Sequence, residues 1–350
     1  MVLFPYRREL GGRRSLRRAG VVAGLLWLAM AAPANAVDST PMRFGADMDS
    51  VQTAQSKGAP MSYGTFWVGS WNQRYGWGYV ETQLQTAKRL GVTPVIHWWY
   101  WGDDISPACV ENGCDDKRQH VRKDKATWYR MSNELADRIA RFAGDRGAIV
   151  ILETEFNKNG IETHAPFDGY LADHAKIFHR KPNIKVGLSF GNWGRGQWGN
   201  FRQAIAEVDL LGTQLLQSSV RDASTYLNAV DALIAGARHL QAEFDKPSLV
   251  TDLALSSFPA STYEPLQAVV IEQLFARLPD LKAAGVTGLI WRHISDDPKF
   301  DTSNYHGLAE RHWGLLRADG SAKPAFVALL NGIRSESREA AAGPGGVVQH

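Results

Sequence analysis

The sequence predicts an α/β fold, a (β/α)8 barrel in which strands and helices alternate. From Met42 onward, short apolar or aromatic runs alternate strictly with longer amphipathic runs. The alternation repeats eight times, which suits a single barrel domain. The first strand–helix loop, "GADMDSVQTAQS" at 45–56, lacks the G-x-G-x-x-G pattern typical of the main alternative, a doubly wound open sheet.

The strand candidates share apolar, β-branched or aromatic side chains. They are 42–48, 61–69, 93–101, 148–156, 184–192, 210–218, 247–255 and 286–294. The helix candidates between them carry apolar residues at helical spacing, and Gly91 and Gly144 mark the ends of two of them. They are 50–57, with the weakest pattern, and then 78–91, 128–144, 224–240, 265–285 and 323–333.

The first 36 residues have the layout of a cleaved export signal, with a basic region, the apolar run "AGVVAGLLWLAMAA" and a final "ANA". The stretch "GRRSLRR" resembles a twin-arginine signal, and an ordinary secretory signal fits these residues equally well. The alternative to a cleaved signal is an uncleaved membrane anchor. We expect an exported protein, periplasmic or secreted. The barrel domain is expected over 37–337 and a disordered tail over 338–350.

Composition narrows the function classes. The whole chain carries a net charge of +3, but residues 1–36 hold six Arg and one Glu, so the remainder lies near −2. No cluster of Lys and Arg indicates nucleic-acid binding, and no later segment is apolar enough to span a membrane. In an exported protein, the even pair Cys109 and Cys114 predicts a disulfide. The alternative, a metal site, is less favoured because two further soft ligands are missing and the spacing is wrong for zinc. We expect a monomer without metal or cofactor.

Polar side chains follow the predicted strands at their carboxyl ends, where barrel enzymes build active sites. Strand 4 ends with Glu153 and Glu155, two acids on the same face of a strand, and strand 7 ends with Asp252. The candidate ligand-binding residues are Trp67, His97, Trp99, Trp101, Asn192, Trp193, Gln214, Trp291, Arg292 and His293.

Tryptophan is concentrated at the same strand ends. Flat indole rings stack on the apolar faces of sugars, while carboxylates and amides bind sugar hydroxyls. A long row of such rings favours a polymer over a disaccharide. The tryptophans at or just beyond predicted strand ends are Trp67, Trp71, Trp77, Trp98, Trp99, Trp101, Trp193, Trp198 and Trp291.

Four short motifs resemble the clan A glycoside hydrolases. The segment 154–157, "TEFN", is similar to their strand-4 Asn-Glu-Pro-Asn motif, and 246–252, "KPSLVTD", to their strand-7 segment. The strand-8 run "GLIW" at 288–291 and the closing "GLLRADGSAKPAF" at 314–326 are also similar. The resemblance implies a (β/α)8 TIM barrel that hydrolyses glycosidic bonds of a polysaccharide or oligosaccharide, with endo action favoured.

The resemblance implies that Glu155 is the general acid/base and Asp252 the nucleophile or base. Two departures matter. Thr154 stands where these enzymes usually have an Asn that contacts the sugar, and Asp252 stands where they have Glu. Because Asp is one methylene shorter, retention and inversion both stay open. Arg292 or His293 is expected to hold Asp252 ionised.

Three other interpretations stay open. The pair of Glu153 and Glu155 is also similar to the acids of barrel lysozymes and chitinases. A non-catalytic carbohydrate-binding barrel of the cell envelope would explain the tryptophans. A metal-dependent hydrolase would use side chains at the barrel mouth, namely His97, His293, Asp296 and Asp297.

Overall fold

The protein forms a closed barrel of eight parallel strands in sequence order, with β8 paired to β1. The computed structural model describes residues 41–100, 117–155, 165–190, 198–217, 223–259, 263–301 and 306–342. The strands are β1 (Arg43–Asp47), β2 (Tyr63–Gly69), β3 (Thr93–Trp99), β4 (Ala148–Leu152), β5 (Ile184–Phe190), β6 (Leu210–Gln217), β7 (Ser248–Leu255) and β8 (Val286–Trp291). Each lies within its predicted bounds, so the predicted (β/α)8 fold is confirmed.

Helices follow the strands around the outside of the barrel. Asp47 begins the first helix by accepting a hydrogen bond from the Ser50 amide, and Gly91 ends the third in a left-handed conformation. The α-helices are α1 (Met48–Ser56), α2 (Asn72–Tyr75), α3 (Gly78–Leu90), α4 (Lys117–Phe142), α5 (Pro166–His179), α6 (Arg202–Glu207), α7 (Ala223–Leu227), α8 (Ala229–Phe244), α9 (Glu264–Ala276), α10 (Leu278–Ala283) and α11 (Pro324–Ala342).

Strand alternation divides the apolar core into two layers. Side chains such as Val95, Ile149 and Leu249 form a small cluster inside the barrel. Their neighbours along each strand, such as Ile96, point outward into a much larger cluster between sheet and helices. This inner apolar cluster fills the barrel near the amino ends of the strands. Polar side chains further along the strands meet at the carboxyl ends.

Two predicted boundaries were wrong. The predicted strand 148–156 ends early, because the structure has β4 stopping at Leu152 and a turn over 153–155. The predicted disordered tail begins too early, because α11 continues to Ala342 through the helix-forming run "SREAAA".

Several predictions lie outside the described residues. They concern the export signal, the disulfide between Cys109 and Cys114, and the tail beyond Ala342. Among the described residues, none of the helices has an apolar stretch of the length needed to cross a membrane.

Candidate active site

Asp252 lies inside the barrel because β7 carries one extra residue. Leu249 belongs to the cluster inside the barrel and Leu253 to the outer core, although four residues apart they would share a face of a regular strand. The register shows the reason: Thr213 pairs with Val250, but the next residue, Gln214, pairs with Asp252. This β-bulge lets both Thr251 and Asp252 face inward.

The Asp252 carboxylate is buried and accepts hydrogen bonds on both oxygens. Gln214 Nε2 donates to Oδ2 over 3.0 Å, and Arg292 Nη1 donates to Oδ1 over 3.2 Å. Only 2% of Asp252 is exposed, so these donors replace most of its hydration. The arrangement fits an ionised carboxylate held in one orientation.

His97 lies between the ends of β4 and β7. Its Nδ1 is 2.7 Å from Thr154 Oγ1, and its Nε2 is 3.8 Å from Asp252 Oδ2. The imidazole stacks on the Trp67 indole with ring centroids 4.2 Å apart. Burial lowers the pKa of His97, outweighing the opposite effect of Asp252, and Arg292 lowers it further. The lowered pKa favours the neutral imidazole of His97 at pH 7.

Glu153 and Glu155 flank Thr154 in a turn with unusual backbone geometry. Their φ angles are 43° and 61°, in the left-handed region that non-glycine residues rarely adopt. Glu153 Oε1 accepts a hydrogen bond from the Tyr100 amide over 3.0 Å, and the Glu155 amide donates to the Ser189 carbonyl over 3.0 Å. Such conformations persist where the surroundings fix them and concentrate at functional sites.

A second contact joins the Glu155 side of the site to the Asp252 side. Ser189, whose carbonyl accepts from Glu155, has its hydroxyl 3.2 Å from Thr251 Oγ1, and Thr251 precedes Asp252. His97 also contacts both segments, through Thr154 and Asp252. These contacts link the turn after β4 to the bulge of β7 at one end of the barrel.

An aromatic wall lines this end. Trp67 and Trp99 pack edge to face at 5.2 Å, and the Arg292 guanidinium carbon lies 5.4 Å from the Trp67 ring and 5.5 Å from the Trp313 ring. His293 stacks on Trp313 at 6.2 Å. The rings hold Arg292 in place beside Asp252 through cation–π contacts.

Several buried polar atoms around Asp252 have no hydrogen-bond partner among the described residues. An unsatisfied buried polar group costs about 1–3 kcal/mol, so a cluster of such groups marks a place where stability is given up, as it is at functional sites. The atoms are His97 Nε2, Gln214 Oε1, Arg292 Nε, His293 Nε2 and Asp47 Oδ2.

Some of the tryptophans predicted at the site lie elsewhere in the structure. Trp291 was predicted to stack on a sugar, but it points out of the barrel, is 1% exposed and packs against Phe44 at 6.2 Å. Trp98 is a core residue too, donating to Ser132, and Trp77 donates to Glu134 of α4. The predicted binding residues Trp101, Asn192 and Trp193 lie outside the described residues.

Sequence reasoning missed two residues near the site. Asp47 ends β1 and lies 3.8 Å from His293 through its Oδ2, and its position at a strand end was a usable signal. Trp313 follows β8 by many residues, and nothing in its local sequence indicated that it would reach Arg292.

Two of the four residues weighed for a metal have other partners. Asp296 binds Lys323 Nζ at 2.7 Å, while His97 lies against Asp252 and Thr154. Within the described ranges, no three His, Cys, Asp or Glu side chains converge on a possible metal position.

The barrel is similar to solved structures of glycoside hydrolases. A GH5_18 protein from Bifidobacterium longum subsp. infantis matches with a TM-score of 0.60 and 13% identity, over 85% of this chain and 79% of that one. Xylanase B from Clostridium stercorarium F9 matches with a TM-score of 0.58 and 16% identity, over 83% of this chain and 97% of that one.

A GH26 β-mannanase from Bacteroides ovatus matches with a TM-score of 0.53 and 14% identity, over 86% of this chain and 90% of that one. No protein-family model matches the sequence, and no curated protein sequence matches it. At these identities the likeness shows a shared fold, and the chemistry has to be argued from the residues.

Proposed function

We propose that the protein is a glycoside hydrolase that cleaves a polysaccharide or oligosaccharide, with Glu155 as general acid/base and Asp252 as nucleophile or general base. The observation that carries the proposal is the placement of Asp252. Its carboxylate faces the barrel interior, held by Gln214 and Arg292, beside a histidine that contacts the residue before Glu155.

Two carboxyl groups that flank the scissile bond are what glycosidic hydrolysis requires. One must donate a proton to the leaving oxygen, and the other must stay ionised to attack the sugar or activate water. The hydrogen bonds that Asp252 accepts suit the ionised role. Glu155, whose backbone amide donates to the Ser189 carbonyl, is the acid of the other strand end that we assign to proton transfer.

The aromatic rings and the polar side chains at this end of the barrel support a carbohydrate as the ligand. Trp99 is half-buried and offers an apolar surface to a sugar ring, while polar side chains at the same end suit sugar hydroxyl groups. Two of the similar solved structures are named as a xylanase and a β-mannanase, and a neutral glycan is therefore the substrate class that we propose first.

Glu153 fits a supporting role better than a catalytic one. It is 2% exposed, and its Oε1 accepts the amide hydrogen of Tyr100, just after β3. This bond ties the ends of β3 and β4 together. It favours the Glu155–Asp252 pair over the lysozyme- or chitinase-like use of Glu153 with Glu155.

The test is a panel of mannans, xylans, galactans, glucans and chitin, with product NMR to report the bond cleaved and the anomer released. We expect turnover of at least one glycan. Glu155→Gln and Asp252→Asn should each lower kcat by about 10²–10⁴-fold, because each removes a group that transfers a proton or attacks.

Glu153→Gln is the matched control, since its amide oxygen can still accept from Tyr100. It should retain far more activity than Glu155→Gln. Equal loss in the two Gln variants would favour the lysozyme-like pair. If the wild type binds a glycan by calorimetry yet turns over none, the protein is the non-catalytic binding barrel instead.

Product length tests endo action. A row of sugar-binding rings favours cleavage within a chain, but Trp98 and Trp291 are core residues, so the row is shorter than the sequence indicated. Oligosaccharides as first products would support endo action, and monosaccharides alone would contradict it. We propose that this enzyme works outside the cytoplasm, as the predicted signal indicates.

A further inference from the structure

Thr154 departs from the residue expected at its position, and the structure gives it a different partner. It is fully buried, and its hydroxyl oxygen lies 2.7 Å from His97 Nδ1. A threonine hydroxyl can donate or accept a hydrogen bond, so this contact is compatible with either tautomer of the imidazole. The surroundings of the other nitrogen decide between them.

His97 presents its Nε2 to a carboxylate. Nε2 is 3.8 Å from Asp252 Oδ2 and has no hydrogen-bond partner among the described residues. Stacking on Trp67, with an angle of 10° between the planes, fixes the plane of the ring, and the 2.7 Å contact between Nδ1 and Thr154 Oγ1 opposes a 180° flip within that plane. Nε2 therefore faces a negative charge at short range in a site with little water.

A neutral imidazole carries one N–H and one lone pair. If Nδ1 held the hydrogen, the lone pair of Nε2 would face the Asp252 carboxylate, and the two would repel each other. If Nε2 holds the hydrogen, its N–H dipole points at the carboxylate and is attracted to it. The second arrangement requires Thr154 to donate its hydroxyl hydrogen to Nδ1.

We propose that Thr154 donates a hydrogen bond to Nδ1 and so holds His97 in the tautomer whose Nε2–H faces Asp252. In this arrangement Thr154 and His97 are positioning residues. His97 presents a neutral donor to the Asp252 carboxylate and orients that carboxylate without adding charge. The consequence for catalysis rests on the proposed function, but the tautomer does not.

The direct test is NMR of protein labelled with ¹⁵N in its histidines. Long-range ¹H–¹⁵N spectra report which ring nitrogen carries the hydrogen, and the His97 signals are identified by their loss in His97→Gln. We expect the Nε2–H tautomer in the wild type. Observation of the Nδ1–H tautomer would overturn the proposal, whatever the protein does to glycans.

Two substitutions at one position separate the hydroxyl from the shape of the side chain. Thr154→Val keeps the shape and removes the donor, so His97 should lose its single tautomer, and kcat should fall about tenfold, which corresponds to about 1.4 kcal/mol. Thr154→Ser keeps the donor and should be at least about fivefold more active than Thr154→Val. Melting temperatures of both variants show whether folding is intact.

Equal kcat values in the Val and Ser variants, with both folded, would also overturn the positioning role. Failure of the proposed function looks different. In that case the wild type shows the Nε2–H tautomer but turns over no glycan, and the kinetic comparison is replaced by glycan affinity measured by calorimetry in the same variants.

Discussion

Arg292 forms the ion pair with the buried Asp252 carboxylate. Its guanidinium donates to Asp252 Oδ1 over 3.2 Å and lies between the Trp67 and Trp313 rings. Asp252 is almost fully buried, so loss of this donor leaves its charge with two neutral neighbours, Gln214 and His97. Arg292 therefore supports both the fold and the charge state of the site.

We expect Arg292→Met to lower kcat/KM at least about tenfold and the free energy of unfolding by about 1–3 kcal/mol. Arg292→Lys is the matched variant, because it keeps the charge but loses the planar fork and the stacking on the rings. The activity of Arg292→Lys should lie between that of the wild type and that of Arg292→Met. Steady-state kinetics and urea unfolding measure both effects, and wild-type kcat/KM in Arg292→Met would contradict the role.

The sequence was sufficient to place His97, Gln214, Asp252 and Arg292 at one end of the barrel, because strand ends converge there in this fold. It was insufficient for Trp291. Ile290 belongs to the cluster inside the barrel, so its neighbour must point outward, and this alternation cannot be fixed until the strand's register is known.

The bulge in β7 is a feature that the sequence did not predict. Counted from Leu249 in a regular strand, Thr251 would face inward and Asp252 outward. Space for the extra inward side chain comes from Gly212 on β6. A Cβ there would lie 2.6 Å from Ser189 Cβ and 3.0 Å from Thr251 Cγ2. Such a fit depends on contacts between three strands, which no local pattern records.

Gly212→Ala should therefore disturb the site without touching a ligand-binding residue. The new methyl group must displace Ser189 or Thr251, so we expect a loss of about 1–3 kcal/mol of stability. Ser189 accepts the hydrogen bond of the Glu155 amide, and Thr251 precedes Asp252, so a shift of either residue displaces a proposed catalytic acid. We therefore expect kcat to fall by a larger factor than the factor by which KM changes. Thermal unfolding and kinetics measure the two effects.

Gly236→Ala is the control for this substitution. Gly236 lies within α8, where an added Cβ meets nothing within 4 Å. Alanine favours a helix over glycine by about 0.5–1 kcal/mol, so this variant should be as stable as the wild type or more stable. If Gly212→Ala behaves like Gly236→Ala, β7 and β6 have more room than the structure indicates.

The turn after β4 shows a second limit of local reasoning. The run "AIVILETEF" predicted a strand through residue 156, with both acids on one face. The strand instead ends at Leu152, and left-handed residues at 153 and 155 redirect the chain. The backbone bonds that hold this turn come from Tyr100 and Ser189, on neighbouring strands or just beyond them, so the sequence of the turn alone could not predict it.

One buried lysine ties together the last parts of the barrel. Lys323 Nζ binds Asp296 Oδ1 at 2.7 Å, Ser257 Oγ at 3.0 Å and the Gly314 carbonyl at 2.8 Å. These partners follow β7 and β8, and Lys323 itself precedes α11. Burial raises the pKa of Asp296 and lowers the pKa of Lys323, so each charge depends on the other. The closing segment is thereby fixed to the rim that carries Arg292 and Trp313.

Removing the lysine should destabilise the protein because it leaves a buried carboxylate without its cation. We expect Lys323→Met to lower the free energy of unfolding by about 3–5 kcal/mol, measured by urea denaturation. The double variant Lys323→Met with Asp296→Asn should recover much of this loss, since the amide oxygen of Asn can still accept from the Gly314 amide. A double variant as unstable as Lys323→Met would show that lysine packing, and not its charge, holds the segment.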